Sequence, residues 1–271
     1  LFITKNKYIV KTINMSINKH SFIKEDKKRN QLAQDGKIDD LKKTYQEKVG
    51  KNPNTQIFWD TKIKKNMIDN HFDKMTKDRI KTAVKFVKKR NTKILDIGLG
   101  YGYFEKLFQR QNKNHKLSGI DLSKESIINI KKEVKGSFKE GSVLKIPFRE
   151  NSFEVVVALE IIEHLKASEV FKAYSEIKRV LAPGGQLIIS VPVNETFYTK
   201  PQSTIKNPNL HMRAYTPELI KAELELAGFN VNKIKSLYAF SNNYHLKKII
   251  RLLIPQRWKP NVVIISSYQV K

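Results

Sequence analysis

Three groups of residues in this 271-residue chain have the types and spacing to do chemistry. The first is DIGLGYG, in which Asp96 stands just ahead of Gly98, Gly100 and Gly102, between a strand-like KILDIG and a helix-like YFEKLF. The second is a lone acid, Asp121, closing the apolar run HKLSGID. The third is ALEIIEHL, where Glu160, Glu163 and His164 fall at i, i+3 and i+4, with His211 further on in NPNLHMRAYTPE.

A glycine loop between a first strand and its helix lets a ligand approach the backbone at the carboxyl end of a parallel sheet. The dinucleotide fingerprint G-x-G-x-x-G is not met, because the third glycine comes one residue early and Tyr103 takes its place. Asp96 sets a negative charge beside the loop, which repels a diphosphate and favours an ammonium or sulfonium. Asp121 follows at about 20–25 residues, where a carboxylate accepts from both ribose hydroxyls. Together these acids predict a nucleoside with a cationic amino-acid tail, S-adenosylmethionine. Glu160, Glu163 and His164 share one face if the segment is helical. Three readings fit them: packing residues, a general base formed by His164 and Glu163, or a divalent-metal site of Glu160, Glu163, His164 and His211.

The elements that must position these groups alternate along the chain. RIKTAVKFVKK repeats apolar residues at helical spacing, SKESIINIKKEV reads as a helix capped by Ser123, and SFEVVVAL is a near-continuous apolar strand of the kind buried on both faces of a parallel sheet. A helix ending at APGG, the strand QLIISVP, a helix opening at Thr216–Pro217 and two final strands complete an α/β pattern with a mostly parallel sheet. The chain divides into a lysine-rich extension, 1–79, helical or partly disordered, and a domain, 80–271. Within the latter, SNNYHLKKIIRLLIPQRWKP interleaves apolar and basic residues as an amphipathic insertion that could wall the acceptor pocket, lie on an anionic membrane or pack on a partner, with pocket wall or core packing read in preference to membrane contact. Phe58 and Trp59 suit a lid or a packing anchor.

These motifs in register, with VLKIPFRENSFEVVVALEIIEHL and IKRVLAPGGQLIISVP, resemble the class I S-adenosylmethionine-dependent methyltransferases of the ubiquinone-biosynthesis type, over about residues 80–271. The resemblance implies a Rossmann-like seven-stranded sheet with helices on both faces and an antiparallel last strand. It implies that Asp96, Gly98, Gly100 and Gly102 surround the methionine moiety, that Asp121 takes the ribose and Leu122 the adenine, that Ser142 and Val143 lie near the adenine amine, and that Leu159 and Glu160 form the turn after the fourth strand. Ser142 stands where the family usually has aspartate. The E-x-x-E-H with a distal His is also similar to the metal site of RNA 3′-terminal 2′-O-methyltransferases, and the shorter E-x-x-E-H to that of quinone O-methyltransferases.

Composition sets the remaining bounds. With no cysteine, disulfides and thiolate chemistry are excluded, and the cytoplasm is the expected location. The formal charge of +26 comes from lysines spread along the whole chain, which fits weak attraction to anionic membranes and leaves a nucleic-acid partner open. The expected activity is O-methylation of a small-molecule, glycan or lipid- or quinone-like acceptor. The alternatives are a metal-assisted RNA-terminal methyltransferase and a non-catalytic nucleoside-binding protein.

Overall fold

A computed structural model describes residues 19–46, 52–69, 73–87, 92–111, 115–195, 210–240, 243–254 and 258–270. The expectation for residues 1–18 lies outside them. Seven strands form one sheet: β1 (Lys93–Ile97), β2 (Lys116–Asp121), β3 (Ser137–Glu140), β4 (Phe153–Leu159), β5 (Leu181–Pro192), β6 (Phe229–Leu237) and β7 (Val262–Gln269). Their order is β3-β2-β1-β4-β5-β7-β6, and β7 alone runs antiparallel, wedged between β5 and β6. The order reverses at β1 and β4, which opens a crevice at their carboxyl ends.

Alternation along the strands fills both faces. Leu95, Val156, Leu187, Ile189, Val263 and Ile265 pack into one apolar cluster with α7 (Ala167–Val180) and α8 (Pro217–Leu226). Ile94, Val155, Val157, Ile188 and Ile264 point the other way, into a second cluster with α4 (Lys74–Phe86), α5 (Tyr103–Gln111) and α6 (Lys124–Glu133). This is why Val155, Val156, Val157 and Ala158 are apolar without a break, whichever face each meets. The expected caps form: Ser123 Oγ accepts from the Ser126 amide at 3.3 Å, and Thr216 Oγ1 from that of Leu219 at 3.3 Å. APGG is drawn into β5, and its extra length appears as a register shift between Phe153 and Val155.

The N-terminal part is tied into the domain. Helices α1 (Lys19–Gln34), α2 (Ile38–Lys43) and α3 (Gln56–Asp69) precede α4, and α4 starts on the Asp73 cap, so the boundary at residue 80 falls inside a helix. Asp26 is fully buried and receives Arg213 Nε at 3.0 Å, the Ala214 amide at 2.8 Å and Arg29 Nη1 at 3.0 Å. Arg213 also reaches Glu223 at 2.7 Å, and Glu223 accepts from the hydroxyls of Tyr45 and Tyr215. Two carboxylates and two guanidiniums thus neutralise one another out of water. Removing one member leaves its partners charged and unpaired.

Asp26→Ala is therefore expected to destabilise the fold by about 3–5 kcal/mol. Urea denaturation of the full chain measures this, and a loss below the range of ordinary surface substitutions would show that the N-terminal helix is not integral.

Candidate active site

The loops following β1 to β4 enclose a cavity of about 840 Å³, within the size range of ligand clefts. Asp96, Gly98, Gly100, Asp121, Leu122, Ser142, Val143, Leu159, Glu160, His164 and His211 all line it. Gly102 and Glu163 do not: both are buried behind the lining.

The glycine loop is held open by hydrogen bonds to the end of β2. The Gly98 amide donates to the Ile120 carbonyl at 2.8 Å, and the Gly100 amide donates to Asp121 Oδ2 at 2.9 Å. Gly98 has φ +87°, and a Cβ there would sit 2.1 Å from Ile161 Cδ1, so both conformation and space demand glycine. A Cβ on Gly100 would meet nothing within 4 Å, because that position faces open space. Asp121 Oδ1 takes the Ser123 amide at 2.7 Å. Burial raises the Asp121 pKa to about 6, against the opposing effect of these two amides.

Asp96 is 3% exposed, and its Oδ1 has no hydrogen-bond partner among the described residues. Burial first, then the charge of Glu105, push its pKa well up, and Glu105 is itself buried with a raised pKa. The loop therefore presents a buried acid oxygen that lacks a donor, and this suits a cationic ligand tail.

The acceptor side differs from the sequence expectation. ALEIIEHL is not an α-helix: Glu160 has φ +59°, and Ile162–His164 is a single 3₁₀ turn. Glu160 consequently turns away from Glu163 and His164. Its carboxylate accepts from Ser190 Oγ at 2.8 Å and pairs with Arg79 at 3.1 Å, so it is not brought to the expected metal set. Glu163, His164 and His211 do converge, with ligand atoms within 4.8 Å of one another. The Glu163 carbonyl fixes the segment bearing His211, accepting the Met212 amide at 2.7 Å and the Arg213 amide at 3.0 Å. Asn54 Nδ2 donates to the His164 and Leu210 carbonyls at 3.2 and 3.0 Å, clipping both histidine segments together.

Glu163 is fully buried. Burial and the charges of Glu160 and Glu195 push its pKa well up, and its carboxyl does not line the cavity. His164 is held neutral, its pKa lowered to about 3 by burial and then by His211. Its ring lies edge-on to Trp59 at 4.8 Å and to His211 at 5.0 Å. Lys62 Nζ sits 4.8 Å from the Trp59 ring, and burial pushes its pKa down while Glu163 opposes this.

Sequence reasoning missed Glu195, whose carboxylate oxygens lie 2.9 and 3.0 Å from His211 Nδ1. It also missed Glu105, Lys62, Arg79 and the Asn52–Asn54 clip. The anchor role of Trp59 takes a definite form: α3 spans the cavity, with Trp59 against His164 at one side and Asp60 Oδ1 accepting from Ser123 Oγ at 2.6 Å at the other. The 241–260 insertion does not line the cavity among the described residues, because its helix is seated on the outer side of α4.

Residues 95–189 match the methyltransferase domain family. The chain is 30% identical over 139 residues to a probable S-adenosylmethionine-dependent methyltransferase of Mycolicibacterium smegmatis, covering 51% of this chain and 52% of that protein. It is 28% identical over 180 residues to the uncharacterized protein MJ0638 of Methanocaldococcus jannaschii, covering 65% and 72%. Among solved structures, N-methyltransferase NodS of Bradyrhizobium japonicum, in complex with S-adenosyl-L-homocysteine, superposes with a TM-score of 0.58 at 14% identity, covering 79% of this chain and 99% of that one. Fold, sheet order and sequence together define a Rossmann-like methyltransferase domain. The matched domain, the sequence relatives and the structural neighbours support a class I S-adenosylmethionine-dependent methyltransferase, with S-adenosylmethionine as the cofactor.

A histidine whose native pKa is near 3 binds no proton between pH 6.5 and 3, whereas the unfolded chain does, so its burial costs stability progressively as pH falls through that window. NMR titration should show the His164 ring signals unchanged from pH 8 to about pH 5, with His164→Phe losing less stability on acidification than the parent.

Proposed function

We propose that the enzyme methylates an oxygen of a small or lipid-like acceptor, with His211 as proton acceptor and Glu195 as the group that orients it. The observation that carries this is the His211 Nδ1 contact with Glu195, made by a histidine lining the same cavity as Asp96 and Asp121. An ionised carboxylate only accepts, so Nδ1 carries the hydrogen and Nε2 the basic lone pair. A hydroxyl must lose its proton to become a good nucleophile, and an imidazole backed by a carboxylate is suited to take it.

Bound in this cavity, S-adenosylmethionine supplies a methyl group on a sulfonium for in-line displacement by the acceptor. The residues fit it: Asp96 Oδ1 offers an acceptor to its ammonium, and Asp121 offers carboxylate lone pairs to the ribose hydroxyls. Leu122, Ser142 and Val143 would enclose the adenine, while Gly98 and Gly100 keep the loop thin, Gly102 lets the helix start close behind it, and Leu159 and Glu160 would close the floor. His164 and Trp59 give the acceptor side a neutral, largely apolar wall that limits water around the reacting oxygen. Arg79 holds Glu160 in its left-handed conformation and keeps its charge away from the acceptor. We place the reaction in the cytoplasm on the strength of the cysteine-free composition.

One observation favours a second reading: the convergence of Glu163, His164 and His211, which resembles a three-ligand cation site. Burial drives Glu163 toward its neutral form and the Lys62 amine lies close by, both unfavourable to a bound cation, so the metal-free reading is preferred.

His211→Asn and Glu195→Gln should lower kcat by about 10²- to 10⁴-fold while leaving affinity for S-adenosylhomocysteine unchanged by calorimetry. Activity should persist after dialysis against a chelator; loss that is restored by a divalent cation would establish the second reading instead. Asp121→Ala should weaken cofactor binding by about 1–3 kcal/mol. In the parent, affinity should fall as pH drops below about 6, because the empty protein then protonates Asp121 and removes an acceptor pair.

A further inference from the structure

Helix α9 (Tyr244–Leu253) is mounted with its polar side inward. Tyr244 is buried and donates to Asp78 Oδ2 at 2.8 Å, Lys248 pairs with the same oxygen, and the Arg251 guanidinium lies 4.4 Å above the Tyr238 ring. The opposite face is aliphatic and open: Leu246 is 55% exposed, Ile249 59%, Leu252 72% and Leu253 80%. A helix that only packs on its domain is turned the other way. No acidic residue occurs on it.

Its surroundings are basic. Lys233 and Lys235 are exposed on the edge strand β6, and Lys85 is exposed on α4. Burial and the nearby charges of Lys248, Lys85 and Lys233 push the Lys235 pKa down, with Asp78 opposing. At the foot of the helix, Trp258 packs edge-on against Phe240 at 5.3 Å, an amphipathic ring of the type that settles at headgroup depth. The helix also emerges at the cavity's end of the sheet: β7, which follows it, begins at Val262 opposite Pro192, the carboxyl end of β5. α4, on which it sits, lines the cavity through Thr76, Arg79 and Ile80.

We propose that α9 is an interfacial helix that docks the enzyme on an anionic phospholipid bilayer, with its aliphatic face entering the headgroup boundary beside lysines that meet the lipid phosphates. Charge complementarity selects this occupant. A second copy would bring another formal charge of +26 and another lysine cluster against the first. An RNA strand gains little from Leu and Ile side chains, which offer bases no stacking plane. A bilayer takes up both features at once, through buried apolar area and attraction to anionic lipid. Among the described residues no helix is long and apolar enough to cross a membrane, so the contact is peripheral.

The test is co-sedimentation of the full chain with large unilamellar vesicles containing phosphatidylglycerol, against vesicles of phosphatidylcholine alone. Binding is expected to the anionic vesicles and to weaken with added salt. The double variant Ile249→Glu/Leu253→Glu should reduce it on the order of ten-fold or more, and Lys233→Glu/Lys235→Glu should do likewise. All four side chains are exposed, and unchanged circular dichroism and S-adenosylhomocysteine affinity would show that the variants are folded. Four results would overturn the proposal: no anionic-vesicle binding, equal binding to phosphatidylcholine, binding unaffected by Ile249→Glu/Leu253→Glu, or, in place of vesicle binding, self-association or single-stranded RNA binding that the same variants abolish.

Discussion

The hydrogen bond from the Gly100 amide to Asp121 sets the geometry on which the site depends. It ties the loop after β1 to the end of β2, so the two acids that flank the crevice keep a fixed separation although neither belongs to the other's element. Glycine is required on the sheet side of this loop, where Ile161 fills the space beside Gly98. On the other side, the absence of a side chain at Gly100 keeps the crevice open. The same bond has an electrostatic consequence. Two amides stabilise the Asp121 carboxylate against burial, and without them its pKa would rise beyond about 6. At Asp96 burial and the charge of Glu105 outweigh the one backbone amide that opposes them, so its pKa lies well above the usual carboxylate range.

What the sequence made legible followed from local rules. SFEVVVAL revealed a doubly buried strand, Ser123 and Thr216 revealed their caps, and the glycine loop with Asp121 revealed a ligand crevice, because each of these signals lies within a few residues of the structure that it specifies. The helical face expected for Glu160, Glu163 and His164 did not form, for a local reason that periodicity cannot carry. Glu160 adopts a left-handed conformation, stabilised by Ser190 and by Arg79, which is 81 positions earlier in the numbering, and this breaks the helical phase before Glu163. Glu195 and Asn54 were hidden for a different reason. Their importance is entirely in partners brought close by the fold, His211 for one and the His164 and Leu210 carbonyls for the other.

The N-terminal segment shows how composition misleads about integration. Its lysine-rich sequence has a weak apolar pattern, which suggests an appendage, yet Asp26, Arg29 and Asn30 are buried and satisfied by residues more than 180 positions away or by Thr44. Polar anchoring replaces apolar burial here. It also reaches the chemistry, since Arg213, held by Asp26, is two residues from His211, and its amide donates to the Glu163 carbonyl. The anchoring of the N-terminal helix and the placement of His211 thus meet in one short segment.

Helix α9 illustrates a further gap between pattern and fold. Periodicity identifies an apolar face but does not say which way that face points, and the ordinary expectation is inward. Here the inward direction is set by a single acid: Asp78 on α4 draws in Tyr244 and Lys248, and once these are seated the aliphatic residues have no place but the outside. Because Arg79, the next residue, pairs with Glu160 inside the cavity, neighbouring residues of α4 face opposite duties, one fixing the outer helix and the other the floor of the site.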